Sequence, residues 1–86
     1  MSKKDKLIER LLSFPKDFTY DEARTLLSGL GYFEDTKGKS SGSRVAFVNL
    51  VSKNIITLHK PHPGNVLPAY AVKNIIEFLK RNGEIQ

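Results

Sequence analysis

The segment "LHKPHPGN", Leu58 to Asn65, carries both histidines of the chain, two of its four prolines and one of its six glycines. Histidine is the side chain that ordinarily titrates near neutral pH, so His59 and His62 are the first candidates for proton transfer. Two histidines in such a segment fit three chemistries: a metal site, an acid–base pair or a rigid turn. Zinc takes four ligands drawn from cysteine, histidine and carboxylate. The chain has no cysteine, and no acidic residue lies between Thr36 and Ile76. The expectation is therefore no metal and no small-molecule cofactor. Pro61 and Pro63 fix the neighbours of His62, and Gly64 permits a tight bend, so His62-Pro63-Gly64 reads as a structural turn. His59 falls on a strand and is the better acid–base candidate. The competing reading makes it a strand-end residue, hydrogen-bonded and partly buried.

Charge points to the kind of ligand. The formal net charge is +5. From Thr36 to Ile76 the chain carries Lys37, Lys39, Arg44, Lys53, Lys60 and Lys73, and its nine carboxylates all sit at or before Asp35, or at Glu77 and Glu84. A basic middle of this kind is what a polyanion-binding face needs. A solvated basic surface with no partner is the alternative. The loop "KGKSSGS" offers Lys37, Lys39, Ser43 and backbone amides that could wrap an anion. It lacks the Gly-Lys-Ser/Thr ending of a nucleotide-binding loop, which argues against nucleotide hydrolysis.

Eighty-six residues, 40% apolar and 27% charged, suit one soluble globular domain. The N-terminal "MSKKDKLIERLL" has no long apolar run behind it, so neither a signal peptide nor a membrane span is expected. The absence of cysteine is compatible with a reducing compartment, and the expected location is the cytoplasm.

The elements that must position the candidates follow from periodicity. "SKKDKLIERLLSF" places Leu7, Ile8, Leu11 and Leu12 on one helical stripe that stops before Pro15. Thr19 and Glu22 fit a capping box, which predicts a second helix from Tyr20 to Leu30 with Gly31 at its left-handed end. "YFEDT", "RVAFVNL" and "NIITLH" read as three strands, the last two joined by a turn at "VSKN". A final helix runs through "LPAYAVKNIIEFLKRNG", with Pro68 in its first turn and Gly83 at its end. The predicted class is α+β in the order α-α-β-β-β-α, with helices on one face of a three-stranded antiparallel sheet and the other face open.

If "VSKN" closes the hairpin symmetrically, Phe47 falls opposite Leu58, and His59 lies across from Ala46 and diagonal to Arg44. Val45, Phe47, Ile56 and Leu58 then face the helices. Arg44, Ala46, Val48, Thr57 and His59 share the open face, which is expected to be free of negative charge. Arg44 and His59 come within reach of one phosphate, with Arg44 as clamp and His59 as acid–base group. Lys37, Lys39 and Lys60 would hold the backbone, and Lys73 sits about one turn into the last helix. The aromatics, Phe14, Phe33 and Tyr70 among them, read mostly as core, which argues against an exposed stacking row for single strands.

"SGSRVAF" followed by "HKPHPGNVL" and a helix resembles the HicA family of toxin–antitoxin toxins. Gly42-Ser43 matches the family's Gly-Ser segment, and His62-Pro63-Gly64 matches its turn. The resemblance covers Phe18 to Gly83, so residues 1–17 read as an N-terminal helical extension and 18–86 as the HicA-like domain of a single-domain chain. It implies a fold like the double-stranded-RNA-binding domain, binding and metal-independent cleavage of mRNA, inhibited translation and neutralisation by a HicB-type antitoxin. The histidine that follows Gly-Ser in the family is the expected catalytic residue, and Arg44 stands at that position here. Arginine keeps its proton at any relevant pH and cannot act as a general base. Two further classes stay open: a non-catalytic RNA-binding module of the same fold, and a basic protein-interaction domain.

Overall fold

The computed structural model describes residues 3–35, 44–61 and 64–85. Three helices and three strands follow the predicted order: α1 Lys3–Leu12, α2 Tyr20–Gly29, β1 Tyr32–Asp35, β2 Arg44–Asn49, β3 Ile55–His59 and α3 Ala69–Arg81. The α+β class is as expected.

The capping box starts α2. The Thr19 hydroxyl accepts from the Glu22 amide at 3.1 Å, and the Thr19 amide donates to Glu22 Oε1 at 3.0 Å. The helix stops because Gly31 takes φ +97°, where a side chain would be strained. A Cβ there would also stand 3.0 Å from Asn49 Nδ2.

Glu22 has a second role. Arg10 on α1 donates to it from both Nε (2.7 Å) and Nη2 (3.1 Å), and Nη2 also reaches Asp17 Oδ1 at 3.0 Å. This fork pins α1 against α2 while Leu11 is fully buried beneath it. Leu12, expected on the same stripe, lies at its edge and is 39% exposed.

The sheet has the order β1-β2-β3, all antiparallel. Val45, Phe47, Ile56 and Leu58 are buried under the helices, as predicted, against a core that includes Phe18, Leu26 and Ile75. Tyr20 packs on Phe47 and donates from its hydroxyl to Glu34, and the Tyr32 hydroxyl donates to Glu84. Burial first, and then the neighbouring carboxylate, pushes the Tyr32 phenol up to about 12 and raises that of Tyr20 further.

The hairpin register differs from the expectation. The loop is Leu50–Lys53, not "VSKN": the Asn49 amide donates to the Asn54 carbonyl at 3.0 Å, and the Lys53 amide to the Asn49 carbonyl at 2.8 Å. Lys53 takes φ +67° to close it. The loop starts one residue earlier, so the pairing moves by two, and a shift of two keeps every side chain on its predicted face. His59 now pairs with Arg44 directly, and Ala46 with Thr57.

Asn49 holds this loop. Its Oδ1 accepts from the Val51 amide (2.9 Å) and the Ser52 amide (3.1 Å), and its Nδ2 donates to the Leu30 carbonyl at 3.3 Å. Asn49→Ala should therefore cost about 1–3 kcal/mol, read as a fall of at least several degrees in the thermal midpoint by circular dichroism. Glu22 gives an acid test. Arg10 and the Thr19 amide hold its carboxyl below the usual carboxylate range, although partial burial opposes them. Its contribution is complete above the unfolded carboxylate pKa of about 4.3 and is lost as pH falls through the lowered folded value. Denaturant midpoints should drop on acidification below that point, and Glu22→Gln should flatten the drop.

Candidate functional site

The open sheet face is built in three rungs. At one end Arg44 pairs with His59, both exposed. In the middle Asp35, Ala46 and Thr57 lie side by side. At the far end Phe33, Val48 and Ile55 form an apolar rung, with Phe33 45% and Ile55 59% exposed. Two expectations are corrected here. The face is not free of negative charge, because strand alternation carries Asp35 onto it. Phe33 is not core, because Tyr32 takes the inward position of β1 and the next side chain must point out.

A cleft of about 510 Å³ opens where β3, the edge strand, meets the start of α3. That volume is typical of ligand clefts, which run from ~300 to 1,000 Å³. Thr57 and His59 line it from the open face, and Leu58 and Lys60 from the other, so the cleft wraps around the strand edge. Arg44 reaches it from β2, and Tyr70, Ala71 and Asn74 form the helical wall.

Local structure fixes that wall. The Leu67 amide donates to the Phe18 carbonyl and the Tyr20 amide to the Asn65 carbonyl, each at 2.8 Å. Asn65 Nδ2 donates to Asp21 at 3.2 Å. These bonds clamp the segment before α3 to the start of α2. Pro68 is the N-cap of α3 and makes no side-chain cap bond, so the positive end of the helix faces out beside the cleft. Lys60 is steered by its ammonium lying 5.7 Å above the Tyr20 ring.

The site residues predicted from sequence therefore divide. Arg44, His59 and Lys60 come together in the cleft. Lys73 is exposed on α3 but lies outside the cleft lining. Gly64 takes φ +94°, as a tight turn requires. Lys37, Lys39, Ser43, His62 and Pro63 lie outside the described residues. Sequence reasoning missed Tyr70 and Asn74. Their spacing of four residues was the available signal, since it puts both on one helical face. Tyr70, read as a candidate core position, is 63% exposed, and Val72, Ile75 and Leu79 take the buried positions instead. Phe14 is likewise 46% exposed rather than core.

Among the described residues, no group of three or more His, Cys, Asp or Glu side chains is placed to hold a metal ion. No described helix is long and apolar enough to cross a membrane. The arrangement offers a fixed cation, an imidazole and a helix N-terminus around one opening, a set suited to an anionic ligand.

A family model, the HicA toxin of bacterial toxin–antitoxin systems, matches residues 20–83, and the chain belongs to that family. It is thus a toxin of a toxin–antitoxin system, and the family implies an antitoxin partner. No curated protein and no solved structure matches the chain.

The pairing at the cleft can be checked chemically, because the chain has no native cysteine. Directly opposed residues have Cβ atoms about 4.5–5.5 Å apart and diagonal ones about 7–8 Å. Arg44→Cys with His59→Cys should oxidise readily to a cross-strand disulfide, and Ala46→Cys with His59→Cys should not. Non-reducing electrophoresis after mild oxidation reads the difference; the reverse result would restore the register expected from sequence.

Proposed function

We propose that this HicA-family toxin binds messenger RNA in the cleft between β3 and α3 and cleaves it as a metal-independent endoribonuclease. The observation that carries the reading is the cross-strand pairing of Arg44 with His59 at the cleft. In the reaction, neutral His59 takes the proton of a ribose 2′-hydroxyl. The 2′-oxygen attacks the adjacent phosphorus, the bond from phosphorus to the 5′-oxygen breaks, and the leaving oxygen regains a proton from the imidazolium. The products are a 2′,3′-cyclic phosphate and a 5′-hydroxyl, with no net change in protons. Arg44 holds the non-bridging oxygens and stabilises their charge in the transition state. Lys60 and the start of α3 hold the neighbouring phosphate.

The antitoxin, of the HicB type, would cover the open face. Its apolar end, Phe33, Val48 and Ile55, offers such a partner a dry contact, and the arginine at the other end offers a complement to acidic side chains. Cover over that face closes access to His59.

A second reading is a non-catalytic RNA-binding toxin. It rests on Arg44, which occupies the position where the family resemblance expects a histidine. One assay separates the two. With purified protein and a structured transcript, His59→Ala should slow cleavage by about 10²–10⁴-fold, and Arg44→Ala by about 10²–10³-fold. Arg44→Lys should recover only part of the loss, since it keeps charge but not the bidentate fork. If wild-type protein retards the transcript on a gel yet leaves it intact, the catalytic reading is wrong and the binding one stands.

A further inference from the structure

We propose that Tyr70 and Asn74 form a nucleobase subsite, in which an unpaired base stacks on the Tyr70 ring and its edge meets the Asn74 amide. The inference rests on the RNA reading above and deepens it, because it makes single-stranded RNA the substrate class of the cleft.

Exposure sets Tyr70 apart. The other two tyrosines are 4% and 2% exposed, and their hydroxyls are bonded to Glu34 and Glu84. Tyr70 is 63% exposed on the first turn of a helix whose core side is already filled by Val72, Ile75 and Leu79. A large ring in that position contributes little to folding. It lines the same cleft as Arg44 and His59, on the opposite wall, and Asn74 follows it one turn along the same face.

The two walls divide a nucleotide by its chemistry. The sheet edge presents a guanidinium, an imidazole and an ammonium, which suit phosphate. The helical wall presents an aromatic ring and an amide, which suit a base. An aromatic face stacks on any base, and an asparagine amide both donates and accepts at a base edge. A base inside a duplex is stacked and paired on both sides, so it cannot lie against a ring that stands in a cleft. A base from a single strand, loop or bulge can.

The test uses a short 2′-O-methyl oligoribonucleotide, which carries no free 2′-hydroxyl to attack and so reports binding alone. The chain has no tryptophan, so its emission is that of its tyrosines, and the part that belongs to Tyr70 is read by difference from Tyr70→Ala. The single strand should quench that emission, bind more tightly than the same sequence as a duplex, and bind more tightly than an abasic strand of equal length. Tyr70→Ala should weaken single-strand binding by about tenfold or more, whereas Tyr70→Phe should retain it. Under the proposal, Tyr70→Ala no longer discriminates between the normal and abasic strands.

Equal binding of the abasic and normal strands by wild-type protein, or unchanged binding by Tyr70→Ala, overturns the subsite and leaves the phosphate-binding reading intact. Preference for the duplex does the same. Failure of wild-type protein to bind any of these strands overturns both. The abasic and duplex comparisons need no substitution, so they decide the question even if Tyr70→Ala does not fold.

Discussion

The meeting of Arg44 and His59 depends on one buried asparagine. Asn49 ends β2 where its Oδ1 can take two loop amides and its Nδ2 can reach the end of α2. A buried amide that leaves these partners unmet is costly, so the chain has a strong reason to turn at this residue and not at the next. Once the turn is set, antiparallel pairing carries the register back along both strands and brings the guanidinium opposite the imidazole five residues from the turn. A shift of one residue would have put His59 among the core side chains. The same asparagine lies against Gly31, so the end of α2 and the hairpin loop are fitted to each other.

The other wall of the cleft depends on a second set of short contacts. The segment 64–67 pairs with residues 18–20 through backbone hydrogen bonds and the Thr19–Val66 bridge. Thr19 is also the cap of α2, and its partner Glu22 is the anchor of Arg10 on α1. One small knot thus ties the start of α3, the start of α2 and the body of α1. Phe18 is fully buried within it. The position of Tyr70 and Asn74 relative to β3 follows from this knot together with the burial of Val72, Ile75 and Leu79 on α3.

How far the sequence revealed these features varies with the physics behind them. The capping box, the glycine after α2 and the inward faces of β2 and β3 could be read directly, because each is a short-range rule with one answer. The hairpin turn could not. "NLVSKN" has no glycine and two asparagines, and its closure uses a lysine at positive φ together with a side chain that bonds three residues on. Nothing in turn propensity singles out Asn49. Tyr70 was ambiguous for a different reason: Tyr70 and Ala71 are adjacent at the helix start, and periodicity cannot say which faces inward until Val72, Ile75 and Leu79 have found the core. Asp35 and Phe33 share one cause. In a strand of four residues, the alternation is set by a single inward tyrosine.

The charge of the chain reads differently once the partners are known. Much of the carboxylate is held within the helical layer and at its margins: Asp17 and Glu22 by Arg10, Asp21 by Asn65, Glu34 by Arg24 and Tyr20, and Glu84 by Tyr32. These acids serve packing, and their fields are locally balanced by the groups that hold them. Of the basic residues of the middle segment, Arg44 and Lys60 line the cleft, and few acids lie near them in sequence. Asp35 lies on the open face, one rung from Arg44. A carboxylate there would repel a phosphate chain laid flat across the sheet but not one held at the edge of β3. On the proposed RNA reading, a strand would therefore enter along the sheet edge and turn toward α3, the path on which Arg44, Lys60, the imidazole and the exposed ring lie.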